Sequence, residues 1–320
     1  MNDEKLISIH DIKDGDIVLY ELKEEHEFLP FTRENLSANF YILIDKLICY
    51  AEKSKITHAA LVYDSNKVIE AIIPNVRITD SIADPEYTLH IRRVRNGKDG
   101  AAVLQYLPQT PEEISAEPDS YAMIMSAVAA LSCLFKAKIQ ENDDLSALSK
   151  IVRFVLFKVA EWIDNKKLPI SSGDSNWFCS QLVYYTYTAA AVGLGDRDYE
   201  IKLPDASTPL TDTLIHRIIG RAGRNGLKSS LNLLEKPMDE EELFKLAGRF
   251  FNPDKNSLSA GKNEPSDEDC SFILSFMNRF ITPGNELTDM EKELIKFQSA
   301  FVMPSDLRDC LSEGYLIKDE

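Results

Sequence analysis

The 320-residue chain is poor in the residues that build metal and disulfide sites, with five cysteines, five histidines and no CxxC pair. Cys49, Cys133, Cys179, Cys270 and Cys310 are scattered and odd in number, which argues against a disulfide framework or a zinc site and points to a reducing compartment. HExxH and HxxEH are missing, so a metal-dependent hydrolase finds no motif. Phosphate and dinucleotide loops are missing too, since Gly193 and Gly195 lack the preceding strand and the third glycine. Positive charge is in deficit, 36 Lys and Arg against 52 Asp and Glu, and the net −16 disfavours nucleic acid and anionic membrane surfaces. No long hydrophobic run occurs. The longest, 122–135, is broken by Ser126 and Ser132 and at about fourteen residues is too short to cross a bilayer. The first residues, MNDEKL, lack the basic start and apolar core of a signal peptide. These absences predict a cytoplasmic protein with no transmembrane segment, nucleic-acid partner, metal or cofactor. Export as an effector into a host cell stays open.

What is present is enough apolar sequence, 44%, for a large core in one or two domains. A turn at Asp14-Gly15 precedes a strand at 17–20, and apolar residues at Phe40, Leu43, Ile44, Leu47 and Ile48 predict a helix over 36–51. Strands are predicted at 56–63 and 67–73, joined by a hairpin turn at 64–66, and another at 87–94. The pattern is an α+β fold with a small antiparallel sheet of about four strands. Helices follow from Pro111, over 121–138 and 148–164, and from Cys179 to 191. Beyond 205 the chain is polar, with helical patches at 210–221, 239–250 and 267–280; the acidic run 239–242 reads as the first turn of one of them.

Cys179 lies where a polar turn feeds an apolar helix. Asp174, Ser175 and Asn176 offer side-chain oxygens for its first amides, and a thiol there feels the positive end of the helix dipole, which favours the thiolate. A cysteine alone is more often an inert core residue. His58 is the best candidate base, in a strand among small and apolar neighbours; His90, also in a predicted strand, competes with it, and His10, His26 and His216 are weaker. Glu70 is an isolated carboxylate in the next strand, which must be paired, exposed or functional. With three residues in the turn, Tyr63 faces Lys67 and Ala60 faces Glu70. His58 and Glu70 are then diagonal neighbours on one face, ~7–8 Å apart at Cα. A two- or four-residue loop places Glu70 on the opposite face.

The ordered segments GDIV (15–18), THAALV (57–62), VIEA (68–71) and FCSQLV (178–183) together resemble the circularly permuted papain-like amidases of the YaeF/YiiX type, within the NlpC-type superfamily. In these the histidine strand precedes the cysteine helix. The resemblance implies a papain-like fold in which the sheet packs on the cysteine helix, with Cys179 as nucleophile, His58 as general base and Glu70 as the residue orienting the imidazole. It implies a cysteine hydrolase, an amidase or thiol peptidase, acting on peptide, amide or acyl-lipid substrates through a thioester acyl-enzyme. A lipid-directed acyltransferase and a catalytically inactive binding module are the alternatives. FVMPSDL (301–307) resembles a segment that follows the cysteine helix in this family, with Ser207 to Asp212 competing for that place. The expected organisation is a catalytic domain over 1–204 enlarged by helices at 101–168. A helical insertion over 205–297 follows, open to a protein partner, and 298–320 return to the catalytic domain.

Overall fold

The turn at Gly15 (φ +80°) leads into the strand that begins at Ile17, and its backbone lies directly against that of Gly100. In the computed structural model the described residues are 5–64, 66–72, 75–107, 118–140, 143–166, 179–203, 210–225, 237–252, 263–281, 302–308, 310 and 313–317. The strands are β1 (Lys5–Ile7), β2 (Ile17–Leu22), β3 (Ile56–Tyr63), β4 (Lys67–Ile72), β5 (Asn75–Thr79), β6 (Tyr87–Arg93) and β7 (Glu313–Ile317). They form one sheet in the order β1-β7-β6-β2-β3-β4-β5. This corrects the expectation of about four antiparallel strands: the described residues form seven, and β1 runs parallel to β7. β1 is three residues long and β7 finds its partners across most of the chain, so local periodicity reveals neither.

The helices are α1 (Leu36–Glu52), α2 (Pro118–Phe135), α3 (Leu145–Lys166), α4 (Cys179–Leu194), α5 (Leu214–Asn225), α6 (Glu240–Phe251) and α7 (Asp267–Phe276), the last continued by a π turn at Met277–Ile281. The acidic run does open α6: the Asp239 side chain caps the helix by accepting from the Glu242 N–H at 2.8 Å. The helix expected at Pro111, the caps Asp174, Ser175 and Asn176, and the first half of the segment from Ser207 to Asp212 lie outside the described residues.

Strand alternation sorts the sheet into two faces. Leu19, Ala59 and Leu61 pack on Val183 and Tyr187 of α4, while Ile69 and Ala71 join the large cluster built by α1, α2 and α3. Leu214, Ile218, Leu243, Phe244, Phe272 and Phe276 from α5 to α7 belong to that same cluster. The other face carries Val18, Ala60, Val62, Val68 and Ile91 under Ile12 and Ile82. The C-terminal stretch meets this body at several points, among them the pairing of β7 with β6, the Ser180 hydroxyl donating to the Val302 carbonyl at 2.8 Å and Lys136 Nζ 2.7 Å from Asp306. Among the described residues no helix is long and apolar enough to cross a membrane.

Candidate active site

β3 and β4 pair as Tyr63 with Lys67 and Ala60 with Glu70, the register that a three-residue connection requires. His58 and Glu70 therefore share a face as diagonal neighbours, and their side chains meet: His58 Nε2 lies 2.7 Å from Glu70 Oε2. The other carboxylate oxygen of Glu70 accepts from the Thr79 hydroxyl and from Arg77 Nε, the latter at 3.3 Å. The ring of Tyr20, directly across from His58 on β2, packs on the imidazole at 5.3 Å between centroids.

Among the described residues β3 pairs with β4 from Tyr63 and Lys67 to Ala60 and Glu70, while β3 extends back to Ile56 and β4 on to Ile72. α4 packs against both strands and delivers Cys179, its first described residue, to His58. The sulfur accepts the backbone N–H groups of Ala59 and Ser180 and hydrogen-bonds to the His58 side chain. Cys179 is fully buried, and the His58 side chain is 19% exposed.

The electrostatics follow from this placement. Burial acts to raise the Cys179 thiol, but the His58 charge and hydrogen bond, with the two amides, bring it below its ordinary value. Burial acts to depress His58; Cys179 and Glu70 together outweigh it and lift the imidazole to about 10. Glu70, against its own burial, is drawn down to about 2 by His58, Thr79 and Arg77. Burial instead pushes Cys49 and Cys270 up to about 12, and Cys133 also upward. Cys179 thus sits beside a charged partner and two amides, and its thiol moves in the opposite direction from those of the other three cysteines.

No family model, curated protein or solved structure matches the chain.

The competing histidine, His90, has its own partner, with Nε2 2.5 Å from Glu21 Oε2. Leu19 pairs with both His90 and Ala59, so His90 lies on the face opposite His58. His26 lies 3.8 Å from Glu86. Among the described residues no group of three or more His, Cys, Asp or Glu side chains is placed to hold a metal. Sequence reading missed Thr79 and Arg77, which hold Glu70, and Asp45 of α1. Burial raises Asp45 to about 6, and the charges of His26 and His58 counter part of that rise.

Proposed function

We propose that the protein is a cysteine hydrolase of amide or peptide bonds, with Cys179, His58 and Glu70 as its triad on a permuted papain-like fold. The observation that carries this reading is that His58 bonds Glu70 on one side and Cys179 on the other. Ionised Glu70 can only accept a hydrogen bond, so Nε2 carries a hydrogen and Nδ1 is the nitrogen that exchanges a proton with sulfur.

In the proposed reaction the Cys179 thiolate attacks the carbonyl carbon, and the C=O electron pair moves onto oxygen. The Cys179 N–H, the first described amide of α4, is the first donor to that oxyanion. Collapse breaks the C–N bond while Nδ1–H of His58 protonates the departing amine, leaving a thioester. Water, deprotonated by Nδ1, then attacks the thioester; the acid leaves, and the Cys179 thiolate and the imidazolium are regenerated.

A second reading, an inactive papain-like binding module, draws support from the complete burial of the Cys179 side chain. One experiment separates the two. Labelling with a thiol-reactive acyl-type probe near pH 6 is expected to modify Cys179 ahead of the other four cysteines and to be slowed at least tenfold by His58→Ala. If Cys179 reacts no faster than the rest and His58→Ala changes nothing, the hydrolase reading is lost.

A further inference from the structure

The edge strand β5 supplies two side chains to the candidate site that belong to neither the nucleophile nor the base. Arg77 stands directly opposite Glu70 in the β4–β5 ladder, and Thr79 is its diagonal neighbour on the same face. Both donate to Oε1, while Oε2 faces His58. The Glu70 side chain, 6% exposed, is thereby held from three sides, each oxygen with its own assignment. A carboxylate tied at one oxygen cannot swing the other away from the imidazole without breaking those bonds.

We infer that Thr79 and Arg77 are positioning residues, which act through Glu70 to fix the orientation of the His58 ring and hence the ionisation of Cys179. The inference rests on the hydrolase reading above. The charged and titratable groups around His58 are Glu70 from β4, Cys179 from α4, Asp45 from α1 and the Tyr20 phenol from β2, so β5 acts at one remove.

Division of labour between the two follows from their surroundings. Arg77 is half exposed, so its pairing with Glu70 is screened by solvent and salt. The Thr79 hydroxyl is partly buried and supplies the more directional contact. Loss of the hydroxyl leaves Oε1 held by the solvent-screened Arg77 alone, lowers the advantage of imidazolium at His58 and returns Cys179 toward an ordinary thiol.

The readout is the rate of Cys179 alkylation by iodoacetamide as a function of pH, which needs no substrate. Thr79→Val is expected to move the midpoint of the thiolate limb upward by roughly one pH unit, Thr79→Ser to restore it, and Arg77→Met to move it by less, with the smaller effect vanishing at high salt. In a Glu70→Gln background Thr79→Val is expected to add no further shift. Arg77→Met, at an exposed position, keeps the test available should Thr79→Val fail to fold. If the wild-type profile depends on His58 and Glu70 while Thr79→Val, or in its place Arg77→Met, leaves the midpoint unmoved, the positioning role is overturned and the triad stands. If wild-type Cys179 shows no selective reactivity at all, the hydrolase reading falls, and the inference falls with it.

Discussion

The hydroxyl of Tyr187 donates to the carbonyl oxygen of Gly15 at 2.6 Å, tying the middle of α4 to the turn that starts β2. Gly15 has φ +80°, and a Cβ there would lie 1.9 Å from the Gly100 carbonyl oxygen, so both conformation and space require glycine. Gly15→Ala is expected to cost about 3 kcal/mol or more in urea denaturation. A loss below ~1 kcal/mol, the scale of an ordinary glycine substitution, would show that the two turns separate at little cost.

Glu70→Gln should produce a stability difference that depends on pH in a defined window. Glu70 is depressed to about 2, so its contribution is present above the unfolded value near ~4.3 and is lost as pH falls toward 2. His58 is raised to about 10, so its contribution is full below ~6.5 and is lost as pH rises toward 10. Denaturation of wild type and Glu70→Gln across pH is expected to show the largest gap between ~4.5 and ~6.5, shrinking on both sides. A gap that does not vary with pH would place the contribution of Glu70 outside the histidine pair.

Asp45 carries the opposite sign. Burial raises it to about 6, so the stability it allows is present below ~4 and is lost as pH rises through 6. Asp45→Asn is expected to match wild type near pH 4 and to exceed it by on the order of 2 kcal/mol at pH 7.5. Equal stability at both pH values would show that the carboxyl ionises as freely in the folded chain as in the unfolded one.

Lys136 holds two carboxylates apart, with Nζ 2.7 Å from Asp306 and 3.8 Å from Glu52. Glu52 also accepts from the Ser305 hydroxyl, and burial raises its pKa. Lys136→Met leaves both acids in place without their cation and should cost about 3 kcal/mol at pH 7. The loss should ease as pH falls, because burial raises Glu52 and it takes up a proton sooner than an exposed glutamate. A loss that stays the same at the lower pH would mean that the missing lysine stem, and not its charge, explains it.

Much of the site was readable because its signals are local. The hairpin from Ile56 to Ile72, its three-residue connection and the helix of Cys179 are each encoded within a short stretch, and their register places Glu70 beside His58. β5 carries the alternation of Val76 and Ile78 with Arg77 and Thr79, but five residues are too few for such a pattern to separate a strand from a loop. Asp45 was hidden in an ordinary amphipathic helix, where only tertiary packing distinguishes it from a solvated acid. β1 and β7 were missed for a different reason: pairing between distant segments leaves no periodic mark in either.

β7 sits between β1 and β6, so the sheet is interrupted until residues 313–317 arrive. A ribosome releases them after the hairpin and the helices α1 to α7 have emerged. The emerging chain therefore holds two open strand edges where the finished molecule has a paired interior, and edges of that kind invite pairing with other chains. Closure across so long a sequence separation makes the sheet slow to complete compared with its hairpin.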